Sequence, residues 1–233
     1  MIPQLRTSLI SLAIMILSPI ILYGQVTNQH IFDSIPFMPE HYMQRTARFQ
    51  KEPIVKNRII FLGNSITEGA NWPKLLGDST IINRGIGGDI TYSVIKRLDD
   101  IIARQPSKLF ILIGINDIGK DIPDVVIADN IATIIKKIQK ACPATIIYLQ
   151  SILPLNPTLA NFPQHYDKVS HVTGTNALLK PLAEMLQVHF LDLYPLFLDD
   201  KMLLNKNYTF EGLHLNQRGY EIWAKYLKAS GCI

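Results

Sequence analysis

Ser65 stands in the run Gly63-Asn64-Ser65-Ile66-Thr67-Glu68-Gly69, a glycine-bounded turn of the kind that leads from a strand into a helix. A short side chain held at such a turn lies beside main-chain N–H groups that point into the same space. Its hydroxyl is a candidate nucleophile, and those N–H groups could stabilise an oxyanion. A serine in that place also serves as an ordinary helix cap. Far along the chain, Glu211 precedes His214 by three residues in Glu211-Gly212-Leu213-His214-Leu215-Asn216. A carboxylate at this spacing can reach back to one imidazole nitrogen and fix the tautomer. The other nitrogen is then free to take a proton from Ser65.

Two further blocks supply donors. Asn83-Arg84-Gly85-Ile86-Gly87-Gly88-Asp89 offers a backbone that can approach a ligand closely, and Gly114-Ile115-Asn116-Asp117 puts a carboxamide at a strand end. A main-chain N–H of the glycine loop, the Asn116 amide and the Ser65 N–H would together face one anionic oxygen. Each such donor is worth roughly 3–4 kcal/mol in an acyl-transfer transition state. Asn116 also reads as a turn residue; Asp89 and Asp117 read as braces of their loops, Asp117 alternatively as a helix cap. The glycines do not form a phosphate loop, because no Gly-Lys-Ser/Thr follows Gly63, and the second group lacks the third glycine of a dinucleotide fingerprint. His30, His41, His165, His171 and His189 read as ordinary structural histidines. None of the six histidines forms a metal-type pair, and no metal or organic cofactor is expected. Cys142 and Cys232 lie outside any CxxC spacing, and no disulfide is expected between them.

The elements that must position these groups alternate. Short β-branched runs at residues 58–62, 80–83, 108–113, 145–150 and 189–193 read as strands covered on both faces. Helical patterns fill 40–50, 91–104, 122–140, a region around 176–186, and 217–229. In the third of these, Ile131, Ile134, Ile135 and Ile138 form one stripe, and Lys136, Lys137 and Lys140 a solvated face. Five strands with intervening helices imply a three-layer α/β/α sandwich on a parallel sheet, with ligands beyond the carboxyl ends of the strands. Residues 153–175 read as a long Pro- and Asn-rich loop, with Pro181 inside the helix that follows. Trp72 reads as a core residue in preference to a sugar-stacking one.

The chain has 233 residues, 48% hydrophobic and 18% charged, which excludes a disordered or fibrous protein. A net charge of +4 without a basic run longer than two residues gives nucleic acid little to hold, and none is expected as a partner. At the N-terminus, Arg6 is followed by an apolar stretch over 9–23 broken only by Ser11, Ser18 and Pro19. Residues 1–24 therefore read as a cleaved export signal, 25–57 as an arm packed on the domain, and 58–233 as the domain itself. A periplasmic or secreted location follows, with no membrane span after cleavage.

The blocks GNSIT, NRGIGGD, GIND and EGLHLN, in this order between about residues 58 and 220, resemble the SGNH hydrolases, the GDSL-type lipase/esterase superfamily. The glycine block and the segment 42–72 look most like its platelet-activating-factor acetylhydrolase-like branch and secreted bacterial relatives. The resemblance implies a flavodoxin-like sheet, Ser65 as nucleophile, and His214 as general base. It also implies an oxyanion hole of the Ser65 and Gly88 N–H groups with the Asn116 side chain. Two positions depart from the family pattern: Asn64 and Glu211 each stand where an aspartate is usual. Glu211 is one methylene longer, so it must fold back to hold the ring, unless a main-chain carbonyl orients His214. The expected activity is hydrolysis of short acyl esters, chiefly acetyl, on a carbohydrate or small ester. The alternatives are a lysophospholipase or thioesterase for longer chains, with 153–162 lining an acyl groove, and a non-catalytic glycan-binding protein.

Overall fold

The computed structural model describes residues 32–159, 162–165 and 167–233, so the expected export signal lies outside the described residues. Five strands, β1 (Ile59–Gly63), β2 (Ile82–Gly85), β3 (Lys108–Leu112), β4 (Ile146–Gln150) and β5 (His189–Leu191), form one sheet. All pairings are parallel, and the order is β2-β1-β3-β4-β5. This is the flavodoxin-like order, whose switch point opens between β1 and β3. The helices are α1 (Pro39–Lys51), α2 (Ser65–Glu68), α3 (Trp72–Leu76), α4 (Thr91–Lys96), α5 (Leu98–Arg104), α6 (Ile115–Gly119), α7 (Asp124–Ala141), α8 (Val169–Met185) and α9 (Gln217–Ala229). Among the described residues, no helix is long and apolar enough to cross a membrane.

The strand interiors are buried because both sheet faces are covered by helices. One group of helices comprises α4, α5, α7 and α8, while α3 and α9 pack together. On the α3 and α9 side, register partners Phe61, Phe110, Tyr148 and His189 stack ring on ring across four strands at 4.6, 4.6 and 4.9 Å. Trp72 caps this ladder, 3.9 Å from Phe61 and edge-on to Trp223. Its indole is fully buried, with Nε1 donating to Thr67 O at 3.1 Å, so it is core and does not meet a sugar. Each stacked pair adds about 0.5–1.5 kcal/mol beyond its buried area.

Most elements lie within two residues of the sequence reading, and the differences have tertiary causes. Strand β2 runs to Gly85 because Arg84 and Gly85 pair with Leu62 and Gly63. The helix read over 91–104 is broken at Arg97, whose guanidinium turns inward to Asp89 at 2.8 Å and to Gly63 O at 3.1 Å. Helix α8 starts at Val169 and carries Pro181 within it, so the long loop ends before α8 and contains two short 3₁₀ turns, Pro157–Leu159 and Pro163–His165. Helix α1, one residue longer at each end than read, packs on the domain. Tyr42 Oη donates to Ser93 O at 3.1 Å, and Arg84 pairs with Glu52 at 2.7 Å. Cys142 and Cys232 are both buried free thiols.

Candidate active site

The carboxyl ends of β1, β2 and β3 deliver three of the sequence blocks to one rim. Strand β1 ends at Gly63, and α2 begins at Ser65. Asn64 is fully buried and its Oδ1 accepts the Ile66 N–H at 3.0 Å, capping α2, so Ser65 itself is not the cap. Ser65 is half-buried at the first turn, where helix geometry leaves its N–H without an intrahelical partner.

His214 comes from a turn 149 residues further along the chain, directly before α9. Its Nε2 lies 2.9 Å from Ser65 Oγ. Its Nδ1 lies 2.8 Å from Glu211 Oε1, and the same oxygen accepts the His214 main-chain N–H at 2.7 Å. This is how the longer Glu side chain is accommodated: it curls over its own turn, and one oxygen holds both backbone and ring. Because a carboxylate only accepts, Nδ1 carries the proton and Nε2 is left to accept from Ser65 Oγ–H. Gly212 makes the turn possible. It adopts φ +91°, and a Cβ there would sit 2.3 Å from Asn156 O. Thr209 Oγ closes the turn, donating to His214 O at 2.6 Å and accepting from the Gly212 N–H at 2.9 Å.

The glycine loop contributes one donor by exclusion. Ile86 N–H bonds Gly63 O, Gly87 N–H bonds Glu68 Oε2, and Asp89 N–H bonds Ile86 O. Ile90 N–H bonds the Asp89 carboxylate, and Thr91 N–H bonds Asp117. In this run Gly88 N–H alone donates to no acceptor among the described residues. Gly88 sits at φ +73°, where a Cβ would meet Met38 N at 2.9 Å, so both the turn and the close approach require glycine. Asn116, at the start of α6, is buried, and its Nδ2 donates to Asp89 O at 2.9 Å. That bond uses one amide hydrogen and orients the second.

Asp89 and Asp117 are fully buried, away from the Ser65–His214 pair, and hold the loops. Asp89 is paired with Arg97 at 2.8 Å and accepts the Ser93 hydroxyl; burial pushes its carboxyl up, against the pull of Arg97. Asp117 accepts Thr91 N–H at 3.0 Å and Thr91 Oγ–H at 2.5 Å, and burial pushes its carboxyl up to about 7.

Two neighbours had no local sequence signal. His165 is buried, and neither ring nitrogen makes a well-formed hydrogen bond among the described residues. Burial pulls its pKa down to about 4, and the nearby Ile115 main chain opposes this only in part. The Phe162 ring stands edge-on to His165 at 6.3 Å and to His214 at 5.3 Å, joining them. The second neighbour is Glu68, one helical turn after Ser65. A cavity of about 10 Å³ borders Phe162, His165, Glu211 and Gly212. A larger one, about 400 Å³, lies between α1 and α5 and includes none of these residues. Among the described residues, no cluster of three or more His, Cys, Asp or Glu side chains is arranged for a metal ion.

An acidic, a basic and a hydroxyl side chain in hydrogen-bonded series, beside main-chain and amide donors, can transfer an acyl group through the serine oxygen. Comparison with known proteins points the same way. A model of the GDSL-like lipase/acylhydrolase family matches residues 61–222. A solved structure from Streptococcus pneumonia, provisionally described as a platelet activating factor, is 33% identical with a TM-score of 0.75; the match covers 82% of this chain and 92% of that one. The arylesterase of Vibrio mimicus is 28% identical, over 67% of this chain and 79% of its own length. Platelet-activating factor acetylhydrolase IB subunit alpha1 of Bos taurus is 25% identical, over 73% of this chain and 71% of its own.

Proposed function

The chain belongs to the GDSL-like lipase/acylhydrolase family and is a carboxylic ester hydrolase, and within that activity we propose that it removes short acyl groups, chiefly acetyl, by a Ser65–His214–Glu211 triad. The observation that carries the mechanism is the unbroken series from Glu211 Oε1 through the imidazole to Ser65 Oγ, at 2.8 and 2.9 Å. Ser65 Oγ attacks the ester carbonyl as its proton passes to His214 Nε2. The imidazolium is supported by Glu211, and the carbonyl oxygen becomes an oxyanion facing Ser65 N–H, Gly88 N–H and Asn116 Nδ2. Collapse breaks the C–O bond to the alcohol, which leaves with the proton from His214. Water then repeats the sequence on the acyl-enzyme, releasing the carboxylic acid and restoring Ser65.

The preference for a short acyl group is supported by the acetylhydrolase relative. An acylated carbohydrate is favoured as substrate because Phe210, directly before Glu211, is 74% exposed and could stack on a sugar. The longer-chain reading draws on the Phe162 ring packed against His214, an apolar wall that an acyl chain could follow. The non-catalytic reading has the geometry against it, since Glu211 reaches Nδ1 despite its extra methylene. The apolar stretch over 9–23 supports action outside the cytoplasm after export.

The test is hydrolysis of p-nitrophenyl acetate, butyrate and octanoate, with Ser65→Ala as the blank. Ser65-dependent turnover that falls along the series is the expected result. A rise toward octanoate would replace the short-acyl reading with the lipid one.

A further inference from the structure

Gly87 and Gly88 are adjacent residues without side chains, so the peptide between them is the easiest in the loop to flip. A flip would turn the Gly88 N–H away from Ser65 and present a carbonyl oxygen in its place. The structure holds the peptides on both sides of it. On one side, Gly87 N–H donates to Glu68 Oε2 at 2.5 Å. On the other, Gly88 O accepts the Phe37 N–H at 2.9 Å. Both partners come from outside the loop.

Glu68 is itself secured. His41 Nε2 donates to its two oxygens at 3.1 and 3.0 Å, and Arg45 Nε forms an ion pair with it at 3.0 Å. His41 and Arg45 are one turn apart on α1, so they reach the same carboxylate from one helix face. Arg45 Nη2 also donates to Gly85 O at 3.2 Å, extending the grip along the loop. The charge matters as much as the reach. An unpaired carboxylate here would oppose negative charge developing on a nearby carbonyl oxygen, and the Arg45 guanidinium offsets it.

We propose that Glu68 is a positioning residue for the Gly88 oxyanion donor, and that the N-terminal arm, through His41, Arg45 and the Phe37 main chain, completes the active site. This rests on the reading of Gly88 as a donor. The arm is then part of the catalytic apparatus, and changes in it alter the rate through the loop.

The experiment measures kcat and KM on p-nitrophenyl acetate, with thermal melts, for wild type, Glu68→Ala, Glu68→Gln, the His41→Ala/Arg45→Ala pair and Asn116→Ala. Displacing an oxyanion donor without removing it predicts that Glu68→Ala lowers kcat ~10–100-fold, with KM within about twofold. Glu68→Gln keeps an acceptor oxygen for Gly87 N–H and recovers most of that loss. A folded Glu68→Ala with kcat within about twofold of wild type overturns the proposal, as does a Gln variant as slow as the Ala one. Should Glu68→Ala fail to fold, the His41→Ala/Arg45→Ala pair decides: kcat is expected to fall about tenfold at unchanged KM, and an unchanged kcat refutes the role. Asn116→Ala separates the two layers of the argument. If it alone is slow, only the Glu68 inference fails; if it is as fast as wild type, the oxyanion site and the inference fall together.

Discussion

At the scale of single residues, the triad members should differ in how much they matter. In the proposed mechanism Ser65 and His214 exchange the proton, whereas Glu211 holds the tautomer and supports the imidazolium. Ser65→Ala and His214→Ala are each expected to lower kcat by ~10⁵–10⁶, and Glu211→Ala by about 10⁴, in a single-turnover or steady-state assay. A Glu211→Ala loss as large as that of His214→Ala would mean the carboxylate has a further role; no loss would mean the ring is oriented by something else. The sequence made Glu211 the least certain of the three, because a glutamate stands where the family uses aspartate. The fold resolves the extra length locally, through Gly212 at φ +91° and an oxygen shared between the ring and its own main chain. Glu68 drew no role from the sequence, and His165 reads there as a structural histidine. The contacts of Glu68 with His41, Arg45 and Gly87 come from distant segments, and nothing in the residues beside it marks them.

At the scale of elements, strand ends and hydrophobic stripes were legible, and breaks and starts were not. Helix α9 has the bounds read from its pattern, since its apolar stripe and the Asn216 cap are both local. Helix α8 is longer than read because residues 169–175, assigned to the Pro- and Asn-rich loop, form its first turns, and Pro181 lies inside it as read. The ring lies on an exposed face, where its clash with the preceding turn is tolerated, and Ala177 O lacks the bond that an N–H at 181 would make. Restoring that donor with Pro181→Ala is expected to stabilise the protein by ~1–2 kcal/mol, raising Tm by roughly 3–6 °C. A lower Tm, measured by calorimetry, would show that the restriction proline places on the unfolded chain outweighs the lost bond.

At the scale of the whole molecule, two buried groups give stability opposite dependences on pH. The folded protein keeps the Asp117 proton up to about 7, while an unfolded chain releases it near the usual carboxylate value. Stability from this group therefore falls as pH rises through that interval. His165 runs the other way. Folding pulls its pKa down to about 4, so below about 6.5 the unfolded chain binds a proton that the folded one refuses, and stability falls as pH drops. Over the shared window the two slopes oppose each other. Asp117→Asn should leave the His165 slope uncovered, with Tm falling more steeply than wild type between about pH 6.5 and 4.5. His165→Phe should reverse the slope, with Tm rising over the same interval. Melts at three pH values across the window check both, and slopes unchanged in either variant would refute the assignment.

What this sequence determined by itself was whatever depends on near neighbours: alternating apolar runs that can only be buried strands, glycines at their carboxyl ends, and a carboxylate three residues ahead of a histidine. Those features, with the parallel-sheet rule that ligands gather at strand ends, singled out Ser65, Asn116, His214 and an N–H of the glycine loop as candidates, and the family resemblance alone pointed to Gly88 for that N–H. The tertiary structure decided what depends on distance along the chain. It brought Ser65 to His214 across 149 residues and left Gly88 N–H without an acceptor among the described residues. Among the described residues it also buried His165 without a well-formed hydrogen bond, and it tied helix α1 to the glycine loop through Glu68. The division has a physical cause. Turn geometry and periodicity are written into adjacent residues, whereas desolvation and hydrogen-bond exhaustion exist only once distant segments have closed around a group.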